Sequence, residues 1–342
     1  MFRENFSYTN GWRKEVSRRN FEVLCGVYAA FYFAVRLKIS NFASMRNEYC
    51  ATIGFFDGVH RGHQFMIDRL NDMAYEEGKR SLVITFDRHP RQVVHTDYVP
   101  QLITTATEKL QLLRSTAADR IEVLHFDTDM ARLSAHDFMR YVLHDKYGVV
   151  TLLTGYDNRF GHNRAEGFAD YVRYGEEIGI KVRQNTPIDV DGLRVSSSLV
   201  RRLLIDEGNA EEAARCLGRP YSITGCVAHG FQEGRRMGFP TANIVPESTE
   251  KLTPKGGVYA ARASVEGGEW MPAMLNIGTN PTFRREHLSI EAHIIGFSGD
   301  IYGKRVCIEF VRRLRDERRF DSAEALQAQL EADRKAVLAC SR

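Results

Sequence analysis

Apolar and polar positions change rhythm partway along the chain. Between residue 49 and about 185, short apolar runs alternate with stretches whose apolar positions recur every three or four residues. The runs at 50–56, 81–86, 121–126, 149–154 and 180–183 predict strands, and the periodic stretches at 62–77, 105–114, 134–147 and 165–178 predict helices. Along 62–77, Phe65, Met66, Leu70 and Met73 gather on one side. Such strand–helix alternation reads as a parallel sheet covered by helices. Ligands of these sheets bind beyond the carboxyl ends of the strands. The segments 54–63, 86–90 and 154–161 all follow strand ends, which places them around one cleft. After residue 218, closely spaced apolar segments at 221–229, 258–265, 271–277, 288–295 and 305–311, with glycines at the turns, predict a small antiparallel barrel. A terminal helix follows at about 322–338.

The length of 342 residues fits about two domains at roughly 150 residues each. The α/β region runs over 45–190, a helical linker over 191–217, and the barrel with its helix over 218–342. A hydrophobic content of 43% supplies real cores and excludes general disorder. The net charge of +3, without a Lys/Arg block, argues against a nucleic-acid partner. Six scattered cysteines without a Cys-x-x-Cys pair form neither a zinc site nor a disulfide framework, in keeping with a reducing compartment. At the N-terminus, an apolar run at 21–36 follows Arg13, Lys14, Arg18 and Arg19, the arrangement of a signal peptide or anchor. The run contains Glu22, is short of the roughly 20 apolar residues that span a bilayer, and no clean cleavage site follows it. Residues 1–44 therefore read as an extension upstream of a working protein that starts at or near Met45, with a membrane-associated N-terminus as the alternative.

The chemistry concentrates in Gly54-Phe55-Phe56-Asp57-Gly58-Val59-His60-Arg61-Gly62-His63, which joins the first strand to the first helix. A helix N-terminus offers free N–H groups and the positive end of the dipole, so this turn favours an anion. Gly58 and Gly62 allow a phosphate to approach the backbone. A second corner lies at Ser196-Ser197-Ser198-Leu199-Val200-Arg201-Arg202, where serine hydroxyls, a helix start and Arg201 converge. Serine-rich caps are common by themselves; the pairing with two histidines on the same α/β region is what carries weight.

These two motifs together resemble the adenylyltransferase half of bacterial FAD synthetase, whose second motif runs Ser-Ser-Thr-x-x-Arg. The resemblance implies that His60 and His63 stabilise charge on the phosphates, and that Gly54, Asp57, Gly58, Ser196, Ser197, Ser198 and Arg201 hold ATP. Thr154–Gly161 resembles the family's flavin-side segment, implying Asn158 and Phe160 as flavin contacts, with Asn158 in place of an aromatic. Phe55 stands where Asn is usual, and Ser198 replaces Thr.

The barrel half resembles riboflavin kinase. There the segment from Gly225 through Gly230, Gly234, Arg235 and Gly238 to Pro240-Thr241-Ala242-Asn243 implies a glycine loop over ATP, with Thr241 and Asn243 holding Mg²⁺. Asn276-Ile277-Gly278-Thr279-Asn280-Pro281-Thr282-Phe283 matches the same family, and Glu291 stands at the distance of its catalytic base. A lone strand glutamate is ordinarily solvent-facing; the spacing from the Pro-Thr-Phe element favours the base. Leu314–Phe320 matches the closing loop, implying that Arg315 approaches the flavin. No Walker A loop is present, and Gly299–Lys304 reads as a turn.

The implied protein is an α/β nucleotidyltransferase domain, Rossmann-like, followed by a β-barrel kinase domain with a C-terminal helix. It is cytoplasmic, uses Mg²⁺ with ATP, and acts on riboflavin and FMN, without nucleic acid or stable membrane insertion. A class I aminoacyl-tRNA synthetase would need a Lys-Met-Ser-Lys-Ser-like loop, and pantetheine-phosphate or nicotinamide mononucleotide adenylyltransferases lack the barrel motif. A non-catalytic flavin-binding protein is disfavoured by the two sets of phosphate-handling residues.

Overall fold

The computed structural model describes residues 48–94, 99–156, 158–162, 165–187, 189–190, 192–229, 238–279 and 288–340. The expectations for residues 1–44, and for Gly230, Gly234 and Arg235, fall outside the described residues.

Strand β1 (Tyr49–Ile53) lies at the centre of a parallel sheet with β2 (Arg80–Phe86), β3 (Arg120–Leu124), β4 (Val149–Thr154) and β5 (Lys181–Gln184). The strand order is β3-β2-β1-β4-β5, so the winding direction reverses between β1 and β4. Successive side chains of a strand point to opposite faces, and both faces here are covered. Ala51, Ile53, Leu82, Ile84 and Leu152 pack against Phe138, Met139, Leu143 and Tyr171. Cys50, Val83 and Leu153 face the other way, onto Met66, Ile67 and Leu70 of helix α1 (Arg61–Glu76) and Leu113 of α2 (Ala106–Arg114). Burial on both sides is why the central strands β1, β2 and β4 read as mostly apolar runs, whereas the edge strands β3 and β5 carry charged, partly exposed positions.

Several boundaries differ from the sequence expectation. The first strand stops at Ile53 instead of 56, because Phe56 adopts a left-handed φ of 56° that no strand accommodates. The helix expected at 134–147 is one α-turn, α3 (Ala135–Asp137), continued by a π-helical stretch at Phe138–Lys146. The helix expected from 165 begins at Phe168 as α4 (Phe168–Ile178), with Gly167 extended at its N-cap. A short hairpin, β6 (Asp189–Val190) with β7 (Leu193–Arg194), escapes sequence reading because two-residue strands carry no periodicity.

Helices α5 (Ser197–Arg202), continued by a π turn at Leu203–Glu207, and α6 (Ala210–Leu217) lead to the barrel. It is closed, in the order β10-β11-β12-β9-β8-β13, from β8 (Tyr221–Ala228), β9 (Ala242–Pro246), β10 (Gly257–Val265), β11 (Met271–Thr279), β12 (Leu288–Ile294) and β13 (Arg305–Arg315). The sequence treated β9 only as part of a motif; pairing with β8 and β12 makes it a strand. Alternate residues Ile223, Ile244, Ala261, Leu275, Ile290 and Ile308 fill the interior, which is continuous with Val200 of α5, Leu204 of the π turn, and Ala213 and Leu217 of α6. Helix α7 (Ala323–Cys340) lays Val337 against Ala260 and Met274 on the barrel's outer surface.

Candidate active sites

The histidine turn is strained and heavily tied down. Phe56 (φ 56°) and Val59 (φ 38°) are left-handed without being glycine, a conformation that costs about 1–3 kcal/mol at each such residue. Gly58 takes φ 80°, and its missing Cβ leaves room for Ile103 at 3.0 Å. Asp57, 3% exposed, holds the turn to the neighbouring loop. Its carboxylate accepts from Ile103 N (3.1 Å), Thr104 N (3.0 Å), Thr104 Oγ1 (3.2 Å) and Arg201 Nη2 (2.5 Å). Gly58 N donates to Thr104 Oγ1 at 2.9 Å. The turn therefore stores strain that surrounding contacts hold in place.

This geometry delivers both imidazoles to the start of α1. His60 is the N-cap, its Nδ1 accepting from His63 N at 3.3 Å. The two rings stack with centroids 3.6 Å apart and 18° between planes. A Cβ at Gly62 would stand 3.2 Å from the His60 ring, so glycine leaves that ring its place. Burial lowers the His60 pKa to about 4, helped by the charges of Arg219 and Arg201. His63 is pushed well below its ordinary range by burial, then by His60 and Lys109. Both rings are thus neutral at pH 7, and buried His63 Nδ1 has no hydrogen-bond partner.

Beyond the carboxyl ends of β1 and β4, where the winding reverses, opens a cavity of about 460 Å³. It brings together Gly54, Asp57, His60, His63, Asn158, Ser196, Ser197, Ser198 and Arg201, nine of the residues the sequence singled out. Their tasks differ from the expectation in places. Ser196 caps α5 by accepting from Leu199 N at 3.2 Å, and Ser197 Oγ donates to Asp57 O at 3.0 Å. Arg201 also donates from Nε to Gln101 O at 2.9 Å. Asp57 faces donors of the protein, and an anion so placed repels phosphate, so its work is positioning. Gly58 is buried away from the cavity, its N–H and carbonyl both engaged within the protein. Asn158 donates to Ile53 O at 2.5 Å, whereas Phe160 stacks on Tyr171 with centroids 4.2 Å apart and lies off the cavity wall.

Sequence reasoning missed His89, Asn185 and Arg194 on the same wall. His89 sits in the 86–90 segment placed at the cleft, and it meets the Phe55 ring edge-to-face at 4.8 Å. Arg194 belongs to the short hairpin and lies over the Tyr156 ring at 4.7 Å. Beneath Phe55, the buried Lys109 amine stands 3.7 Å from the ring centroid and donates to Phe86 O at 2.8 Å. Burial lowers its pKa to about 8. A helix-face lysine carries no sequence signal for such a place.

On the barrel, Glu291 of β12 pairs across the sheet with Asn243 of β9 and Asn276 of β11. Their buried neighbours Ala242, Ile290 and Ala292 face inward, so this polar row lies on the outer face. Thr241 Oγ1 donates to Glu291 Oε2 at 3.2 Å, and Asn276 Nδ2 donates to Glu317 Oε1 at 2.9 Å. The hydroxyl of Thr241, the carboxamide of Asn243 and the Glu291 carboxylate are hard oxygen donors, a set suited to Mg²⁺ shared with substrate phosphates. Gly238, at φ 82°, precedes buried Phe239 and leads into this row. Arg315 is otherwise occupied: Nε and Nη2 grip Asp333 Oδ2 at 3.1 and 2.7 Å, which pins α7 to the barrel. The turn expected at Gly299–Lys304 is present, Gly303 N donating to Val227 O at 2.9 Å.

A cavity lined by histidines, serines and an arginine at a sheet crossover, joined to a barrel bearing a carboxylate among metal-type oxygen donors, has the chemistry of a two-site phosphate-transfer enzyme. Comparison with known proteins gives the family. The riboflavin kinase family model matches residues 217–340, and the FAD synthetase model matches residues 43–199. The bifunctional riboflavin kinase/FMN adenylyltransferase of Pseudomonas fluorescens is 38% identical over 290 residues, 83% of this chain and 90% of that protein. Its counterpart from Escherichia coli (strain K12) is 34% identical, over 86% of this chain and 94% of that protein. The chain belongs to the bifunctional riboflavin kinase/FMN adenylyltransferase family. A crystal structure of a macrolide-efflux protein from Streptococcus pneumoniae has a similar fold, with a TM-score of 0.76 and 29% identity over 86% of this chain and 95% of that one. Among the described residues of this chain, no helix is long and apolar enough to cross a membrane.

Proposed function

We propose that this chain converts riboflavin to FMN at the barrel and FMN to FAD in the histidine cavity, each step consuming one ATP. The observation that carries this reading is that all cavity-lining residues except Arg201 fall within the stretch matched by the FAD synthetase model, while Thr241, Asn243 and Glu291 fall within that matched by the riboflavin kinase model.

At the barrel, Glu291 takes the proton of the ribityl 5′-hydroxyl as that oxygen attacks the γ-phosphorus of ATP, and ADP leaves. The Thr241 hydroxyl, donating to Oε2, fixes the carboxylate and leaves Oε1 as the proton acceptor. Thr241 and Asn243 are the residues that would hold Mg²⁺. When bound, Mg²⁺ neutralises phosphate charge, the larger part of catalysis in such transfers.

In the cavity, an FMN phosphate oxygen attacks the α-phosphorus of ATP, the bond to the β-phosphate breaks, and pyrophosphate leaves. Neutral His60 and His63 donate from ring N–H to the phosphoryl oxygens, and the incoming negative charge raises their proton affinity. The N-terminus of α1 adds its N–H groups and dipole. Ser198 and the Arg201 guanidinium face the leaving pyrophosphate, with Ser197 and Asp57 holding them in place. The unpartnered Nδ1 of His63 supports this use of the ring.

A double dissociation tests the assignment. Glu291→Gln is expected to lower FMN formation about 10²–10⁴-fold, the range for loss of a general base, with adenylylation of supplied FMN unchanged. His63→Ala is expected to lower FAD formation about 10²–10³-fold, the cost of one preorganised donor, so that FMN accumulates. Loss of adenylylation in a folded Glu291→Gln protein would refute the two-site assignment.

A further inference from the structure

Carbonyls of the histidine turn are held from four places in the chain. Thr85 Oγ1 of β2 donates to Phe55 O at 3.1 Å, Ser197 Oγ of α5 to Asp57 O at 3.0 Å, and Gln64 Nε2 of α1 to Val59 O at 2.8 Å. The fourth donor is Arg219, whose Nη2 reaches Gly58 O at 2.8 Å. Arg219 is the outsider among them. It follows Gly218, whose left-handed φ of 75° ends α6, and it precedes β8, so it stands where the chain enters the barrel. Gln64 Nε2 touches the same junction, 3.3 Å from Leu217 O. The guanidinium is mostly buried beside Asp57 and Glu108, and its charge is felt by His60. It does not line the nucleotide cavity.

We propose that Arg219 is a positioning residue for adenylylation: by holding the Gly58 carbonyl it fixes the left-handed turn that aims His60 and His63. The α/β site thereby depends on the junction at which the barrel begins. This deepens the assignment of FMN adenylylation to the histidine cavity and rests on it. The reason is geometric. Gly58 lies two residues before His60, in a turn whose φ values at Phe56, Gly58 and Val59 are all positive. Such a turn relaxes when a buried carbonyl loses its donor, and the histidines move with it. Because Arg219 lies off the cavity wall, its loss is expected to fall on turnover and to spare substrate binding.

The test uses the full chain and its Arg219→Ala and Arg219→Lys variants, with initial rates for FAD from supplied FMN and ATP, and for FMN from riboflavin and ATP. Arg219→Ala is expected to lower kcat for FAD about 10–100-fold, the scale of a misplacement near 1 Å. KM for FMN and ATP stays within about threefold and FMN formation within about twofold, as expected for lost orientation with binding intact. Arg219→Lys keeps a charged donor and is expected to restore part of kcat. Should Arg219→Ala not fold, Arg219→Lys carries the test, with a fall in kcat confined to FAD formation. Wild-type protein that makes FMN but no FAD would sink the cavity assignment itself. Wild-type protein that makes FAD, beside a folded variant with unchanged kcat, a change in KM alone, or equal loss of both activities, would overturn the role of Arg219.

Discussion

Asp57→Asn separates a residue that binds phosphate from one that builds the turn. The substitution keeps shape and removes the charge. No orientation of the new carboxamide fits: its NH₂ at the Oδ1 position faces the Thr104 N–H, and at the Oδ2 position it faces Ile103 N and Arg201. Hydrogen bonds to a buried charge are worth about 1.5–3 kcal/mol each, and removing one partner of a buried ion pair costs about 3–5 kcal/mol. Arg201 keeps 27% of its side chain in solvent, which screens its share and sets the expected loss near the lower end, about 3 kcal/mol. That is a large part of a typical total of about 5–15 kcal/mol. Urea unfolding should show the lower midpoint, and FAD formation should fall at least about tenfold as the turn loosens. A protein of unchanged stability whose only defect is a raised KM for ATP would refute this reasoning and return Asp57 to the phosphate.

Two further outcomes follow from the buried groups. Burial holds His60 at about 4, and pushes His63 well below the ordinary 6.5. Below 6.5 the unfolded chain binds protons there that the folded chain refuses, so stability is full above that pH and falls as the pH drops toward 4. His60→Asn retains a capping acceptor and should lose less stability between about pH 7.5 and about pH 4.5 than wild type; equal losses in urea melts would contradict the assignment. Arg315→Ala leaves Asp333, 4% exposed, as a buried carboxylate without its cation, held by Gln329 Nε2 at 2.7 Å, so destabilisation toward the lower end of about 3–5 kcal/mol is expected. Thermal melts check it, and a selective rise in KM for riboflavin at unchanged stability would instead show a flavin contact.

The sequence by itself determined the two architectures and the chemistry-bearing motifs. Apolar strands such as β2, with its Leu82-Val83-Ile84 run, are legible because burial on both faces leaves no regular polar alternation. Alternation along 221–228 and 305–311 is legible because one face fills the barrel and the other meets solvent or the terminal helix. His60, His63, Ser196–Ser198 and Glu291 are recognisable because their residue types and spacing are tied to local strand–turn–helix and strand geometry. Only the tertiary structure decided which of these side chains face the cavity and which hold others in place. Asp57 and Arg201 are 144 residues apart, and Arg315 meets Asp333 across the gap between strand and helix; neither pairing leaves a local pattern. Lys109, His89, Arg194 and Arg219 were illegible for the same reason. Each takes its role from burial, and from carbonyls or rings supplied by distant segments, which a linear chain does not display.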